Sequence, residues 1–595
     1  MTIEWIIIGI YLVLLVIMGS LFGKLNKNTS DYFRSGQRGT WWLVGMSMIM
    51  AGTSTSAFTA NAGVGYEAGF TFLIVYWGGL AALPVEYYIM APMFRRLRAT
   101  TPPEVIRERF GFATEQIVAN VRVITFLFFG GVWLWGLAIF ISSVFGFPMR
   151  PLIVILGLVV IFYSTTGGKW AVMGTDFIQG LIMISMCLLL GYLCLERFGG
   201  LGGMFAAIRE AGLWERFQPI KPAEMSDQLF GGQYDWQWAA AVFLAGSMWR
   251  FSMGSADKIF AVKDEREAKR VMLMGGLLSP VLAVFYLIPD ITARLLYADH
   301  VEATSLSKPA ESAFAITSLH LLPQGLIAMM VIAMFAASMS SLDTGMNSNA
   351  AMIMKNIYPR LCSLFRIPVA SETKQLWASK ALSVVLGVII ISMALYLSNV
   401  KGSGMFEILM NTNAILSPPL VVPMVLGLFI RRTPKCAGVV TLVCGVLVGL
   451  YSLYEAKTGT PWSYSRKVFT ILGVSITAFL ATIPFYRYSS SEYKERVKRF
   501  FIKKRTPIDF AKEVGEPNDQ HQMQMLGIFA TVLGGFVLCL CAIPGNDFKG
   551  RLCIVAVAAM ILSVGLPMLY LGRKRVREAQ KNTESLKFDY TSATK

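Results

Sequence analysis

Apolar residues in this chain fall into long runs, each closed by a short polar and mostly basic segment. Fifteen such runs stand out, at about 3–23, 41–63, 71–94, 121–145, 149–166, 171–195, 237–260, 271–297, 324–353, 378–398, 405–430, 436–454, 467–486, 524–543 and 552–572. A helix needs about 20 apolar residues to cross a hydrocarbon core of ~30 Å. The pattern therefore predicts an all-α polytopic membrane protein. The runs are counted below as the first to the fifteenth span.

Two spans are interrupted. In the second, GTSTS at 52–56 breaks an apolar helix; in the seventh, AGSMWRFSMGSAD at 245–257 does the same around Arg250. The two spans are five apart. Interruptions at matching places in two halves point to discontinuous helices of an inverted repeat, whose freed backbone groups meet ions and solute near the midplane. Taken singly, each stretch also suits close packing of helices through small residues.

Composition sharpens this picture. Of 595 residues, 55% are hydrophobic and only 15% charged, with a mean hydropathy of +0.56; soluble proteins carry about 25% charged residues. A net charge of +18 raises nucleic acid as a partner, but the basic residues lie in short loops between apolar runs. Alternate loops hold most of them, which places the N-terminus outside and the C-terminus in the cytoplasm. Lys24, Lys27, Arg34 and Arg38 follow the first span. That span has no basic leader and is too long for a signal peptide, so it stays as a span.

Two longer loops, 196–236 and 298–323, fall outside. Residues 309–320 (PAESAFAITSLH) have amphipathic spacing, which suits either a lid along the surface or a solvated connector. Residues 488–523 form a basic linker expected at the cytoplasmic interface, and 573–595 a cytoplasmic tail. The eight cysteines show no metal-type spacing, and His300, His320 and His521 are scattered, so no transition-metal site is expected. No nucleophile–base pair suggests an enzyme.

Ionisable residues inside spans are costly and carry a function or a partner. They are Glu86, Asp176, Arg250, Asp257, Lys258, Asp290, Arg294 and Asp343. Asp290 and Arg294, one turn apart, are expected to pair. Arg250 either faces an anionic group of a solute or pairs with Asp257. In the ninth span, Ala337, Ser340, Ser341 and Thr344 fall on one helical stripe beside Asp343. Hydroxyls with a carboxylate are hard oxygen ligands, suited to an alkali cation; serines bonding their own helix are the plainer alternative.

Six segments carry a resemblance: DYFRSGQRGTWWLVGMSMIMAG at 31–52, TPPEVIRERFG at 101–111, YSTTGGKWAVMGTDFIQG at 163–180, KDEREAKR at 263–270, FAASMSSLDTGMNS at 335–348 and ILSPPLVVPMVLGLF at 415–429. In this order the sequence resembles the sodium/solute symporters, which include sodium/glucose, sodium/proline and sodium/sialic acid transporters. The resemblance implies a LeuT-type five-plus-five inverted repeat at 41–260 and 271–430, with repeats at about 41–195 and 237–430. The N-terminal span with its loop (1–40) and about four C-terminal spans (431–572) lie outside that core.

It further implies a sodium site from backbone oxygens of Met50, Thr53 and Ala337 with the hydroxyls of Ser340 and Ser341. A second sodium would use Asp176, Asp343 and Thr344, unless Asp343 pairs with Arg250 or Lys258. The solute would meet Ser56, Tyr76, Trp77, Trp249, Arg250, Met410, Asn411 and Asn413. This lining departs from that of sugar-type members. Tyr76–Trp77 stand in place of a glutamate, Met410 of a glutamine, Ala245 of an asparagine and Asp257–Lys258 of a Gln-Arg pair, so a simple hexose fits poorly. The expected function is sodium-coupled uptake of a small polar solute; a membrane solute sensor with a separate signalling partner is the alternative.

Overall fold

A computed structural model describes residues 2–23, 37–165, 169–251, 253–304, 306–400, 404–513 and 519–593. Lys24, Lys27 and Arg34, read above as topology markers, lie outside them. Among the described residues all regular secondary structure is helical, with one isolated bridge joining Gly39 to Val262.

Among the described residues, twelve helices are long and apolar enough to cross a membrane. The other three of the fifteen expected spans are shorter pieces. Trp41–Gly52 has 12 residues, Met149–Ser164 has 16, and the seventh span is a 15-residue helix, Trp236–Arg250, followed by Met253–Ile259. Discontinuity shortened two of them.

The second span ends its first helix at Gly52, where Thr53 and Ser54 turn extended (φ −115 and −105). A short 3-10 turn, Thr55–Ala57, leads into a second helix, Ala60–Ala68. Four hydroxyl residues, Thr53 to Ser56, that bond readily to nearby groups replace the apolar side chains that would hold a helix here. The seventh span breaks after Arg250 at Phe251; Ser252 lies outside the described residues. Elsewhere two π-helical turns, Glu86–Met90 in the third span and Ile353–Ile357 after Met352 in the ninth, depart from regular geometry.

Packing crosses the halves. The second span lies against the sixth and eighth, and the seventh lies against the thirteenth, third and eleventh. Each broken helix therefore nests partly in the other half. The third and seventh spans approach through glycines: a Cβ on Gly246 would stand 3.0 Å from the backbone nitrogen of Gly79. The first span packs on the sixth and ninth, while Asp519–Cys539 and the 46-residue helix Phe548–Ala593 form a hairpin on the sixth.

The loop 196–236 folds onto the end of the second span. Phe70 N–H donates to Phe217 O at 3.1 Å, Arg216 Nε donates to Glu67 O at 2.9 Å, and Lys221 Nζ donates to Ala68 O at 2.9 Å. Residues 309–320 are neither a surface lid nor a solvated connector. Residues 313–318 are all buried, Phe314 packs on Phe58 at 5.0 Å, and Glu311 accepts the Met405 N–H at 2.6 Å. Apolar residues on every side of this short helix explain the difference. His300 and His320, far apart in sequence, sit with ring centroids 4.5 Å apart.

At the opposite end, Arg109 is fully buried and donates to Gly427 O and Ile430 O, both at 2.8 Å, and to Tyr493 OH at 3.0 Å. It thereby joins helix Pro102–Phe110 to the end of the eleventh span and to Ser491–Lys503 of the linker.

Candidate functional site

The ninth span, Leu326–Met352, is buried on nearly every side, so its hydroxyls meet protein rather than lipid. Ser341 Oγ lies 3.5 Å from Met50 O, 3.2 Å from Ala51 O and 3.2 Å from Ala337 O. Ser340 Oγ, one residue earlier, is buried with no hydrogen-bond partner. An orphaned hydroxyl in the protein interior is costly. The carbonyls that the adjacent Ser341 reaches lie at a helix end and have spare acceptor capacity. Met50, Ala337 and Ser341 thus come together across the break, with Ser340 next in the chain and Thr53 buried at its edge. The set is neutral and all oxygen, and it fits a hard monovalent cation.

The sequence reading missed three members of this neighbourhood. Ala51 supplies a carbonyl, and Thr55 and Ser338 fasten the broken helix to the ninth span. Ser338 Oγ donates to Thr55 Oγ1 at 2.6 Å, and Thr55 Oγ1 donates to Met334 O at 2.6 Å. Ser338 was one residue off the stripe, which is why the stripe did not include it.

A turn further along, Thr344 and Asp176 meet around a lysine. Lys258 Nζ donates to Ser47 Oγ at 2.7 Å and Thr344 Oγ1 at 3.1 Å, and stands 3.8 Å from Asp176 Oδ2. Ser47 in turn donates a short hydrogen bond to Asp176. Asp343 feels both Asp176 and Lys258. Arg250, one of the two partners considered for Asp343, pairs with Glu86 instead.

The expected pairs of Arg250 with Asp257 and Asp290 with Arg294 are both corrected. Arg250 binds Glu86 at 2.7 Å, and Asp257 accepts from Ser348. Arg294 lies 3.9 Å from Glu302 and over the Tyr66 ring, whereas Asp290 turns toward Gly65, where a Cβ would meet it at 2.6 Å. Both Asp290 oxygens are buried without a hydrogen-bond partner. Although one turn apart, the two side chains leave the helix toward different neighbours.

The residues expected to meet solute divide. Tyr76 OH accepts from Asn61 Nδ2 at 3.0 Å, and its ring lies 5.0 Å from Phe72 and 6.1 Å from Tyr286. Phe58 joins this aromatic group 4.6 Å from Tyr286. Ser56 Oγ is 2.6 Å from Ser54 Oγ at the break. Asn411 accepts from Lys467 Nζ at 2.7 Å, while Met410 and Asn413 are half-buried. Trp77 donates its indole N–H to Pro280 O at 3.1 Å, and Trp249 is half exposed. Neither indole is among the aromatic contacts of Tyr76.

Comparison with known proteins adds an independent finding. The model of the sodium:solute symporter family matches residues 32–445. The chain is similar to the sodium/sialic acid symporter SiaT of Proteus mirabilis, 24% identical over 477 residues that cover 76% of this chain and 89% of that protein. It is 25% identical to a sodium/glucose cotransporter of Vibrio parahaemolyticus over 475 residues, covering 76% and 84%. The fold matches that of a Na+-coupled sialic acid symporter in its substrate-bound outward-open state, with a TM-score of 0.69, 20% identity and 81% and 98% coverage. It also matches Mhp1, a nucleobase-cation-symport-1 family transporter, with a TM-score of 0.51, 14% identity and 80% and 99% coverage. These likenesses show the five-plus-five fold expected from the sequence.

Proposed function

This chain belongs to the sodium:solute symporter family, and on that premise we propose that it imports a small polar organic solute by coupling its entry to inward sodium movement. The observation that carries the coupling is Ser341 Oγ, which reaches the carbonyls of Met50, Ala51 and Ala337 across the break, while the neighbouring Ser340 Oγ is buried without a hydrogen-bond partner. A sodium ion there would be held by Met50, Thr53, Ala337, Ser340 and Ser341. It would bridge the broken second span to the ninth, so that its arrival changes how those two elements pack. The solute would lie beyond the break, against Ser56, Tyr76 and the rings of Phe58 and Tyr286. Shared contact with the break ties solute and ion to one conformation. Binding that favours one state shifts the whole equilibrium, and that differential affinity is the coupling.

In this reading the core comprises repeats 41–195 and 237–430, with the N-terminus outside and the C-terminus in the cytoplasm. The basic loops support that orientation. Each sodium brings about 2.3 kcal/mol per 100 mV of membrane potential.

Purified protein in liposomes tests the reading. An inward sodium gradient should drive uptake from a panel of labelled sialic acid, hexoses, inositol, carboxylates and amino acids, and at least one should accumulate. Uptake that ignores replacement of sodium by potassium would defeat it.

A further inference from the structure

Asp176, Asp343 and Thr344 do not fit a second sodium ion, because a charge of the chain itself already stands among them. The Lys258 ammonium is 3% exposed, with Ser47 Oγ at 2.7 Å, Thr344 Oγ1 at 3.1 Å and Asp176 Oδ2 at 3.8 Å. Building on the symporter reading, we propose that Lys258 is a tethered counter-ion that takes the second cation position, so that the protein binds and carries a single sodium.

Two features carry this. First, the lysine meets two hydroxyls and a carboxylate, the oxygen types that would ligate a free cation there. An ammonium with three donors and no acceptor is satisfied by such a ring. Second, a sodium in the same ring would stand against a fixed positive charge inside a buried cluster, where like charges repel strongly.

The lysine is placed by the break in the seventh span. Met253–Ile259 begins anew after Arg250, and this restart sets Asp257 and Lys258 on different faces. Asp257 reaches Ser348, while Lys258 reaches the second, sixth and ninth spans at once.

The test is equilibrium binding of radiosodium to the purified full-length chain, which needs no knowledge of the solute. The wild type should bind one ion per chain. Lys258→Ala should gain a second, weaker ion, and adding Asp176→Asn should remove it. A wild type that saturates at two ions overturns the tethered counter-ion and leaves the symporter reading standing; no saturable binding overturns both. A Lys258→Ala protein that folds and still binds one ion also overturns the proposal. Should that variant fail to yield folded protein, the wild-type stoichiometry alone decides, one ion supporting the proposal and two refuting it.

Discussion

The guanidinium of Arg250 lies 2.7 Å from the carboxylate of Glu86, a residue sealed from solvent on the third span. Three glycines make room for it: a Cβ on Gly79 would stand 2.5 Å from Arg250 Cδ, one on Gly276 2.7 Å from its Nη2, and Gly246 lies at the same crossing. The arginine's charge is thus answered inside the protein. Removing one partner of a buried pair costs about 3–5 kcal/mol, because the other is left charged and alone. Arg250→Ala should therefore sharply lower the yield of monodisperse protein and its unfolding temperature. Arg250→Met combined with Glu86→Gln should recover most of both. A double variant as unstable as the single would show that the pair is not the reason.

The hydroxyls of the ninth span separate into two roles. Ser340→Ala and Ser341→Ala each remove an oxygen from the proposed ion, a contact to a charged group worth about 1.5–3 kcal/mol. Half-saturating sodium should rise roughly tenfold or more in each, measured by sodium-dependent thermal stabilisation. Ser338→Ala, which loses the fastening to Thr55, should lower stability without sodium and leave the sodium midpoint nearly unchanged.

Burial pushes the Glu311 carboxyl up to about 7, against the opposing pull of the Met405 N–H and Lys308, with Glu407 and Glu67 pushing the same way as burial. The packed state therefore holds a proton that the unpacked segment, titrating near 4.5, releases earlier. The sign follows: this contribution to packing is full below pH ~4.5 and lost as pH rises through about 7. Protection factors for hydrogen exchange in residues 313–321, which remove the intrinsic base-catalysed rise of exchange with pH, should be higher at pH 5.5 than at pH 8. Glu311→Gln should flatten that difference, and a wild type with no difference would refute it.

Arg109 meets Gly427, Ile430, Arg431, Thr433 and Tyr493 through a planar fork that a lysine cannot reproduce. Arg109→Lys should accelerate tryptic cleavage at Lys503, Lys504 and Arg505 several-fold, and Arg109→Ala more so. Unchanged cleavage in both would mean that the linker is held elsewhere.

The sequence carried the helices and the breaks, because hydropathy and runs of Gly, Ser and Thr are local properties. Helical spacing and resemblance named Met50, Ala337 and Ser341, which the structure brings into contact. The pairings inside the core the sequence did not carry. Glu86 lies 164 residues from Arg250, and Ser47 lies 211 from Lys258, so neither contact leaves a local trace. Where a local rule was applied, at Asp290 and Arg294, tertiary neighbours overrode it. The π-helical turn at Glu86–Met90 also has no signature in its residues, although it sits where Glu86 meets Arg250.

The clasp at Arg109 constrains how the molecule can move. It bolts the start of the fourth span, through Pro102–Phe110, to the last turn of the eleventh and to the linker helix. These three cannot part at that face while the clasp holds, so they travel as one plate. Tyr464–Ala481, among the added C-terminal spans, packs on both the eleventh and the seventh spans, so the plate reaches the broken seventh span through it.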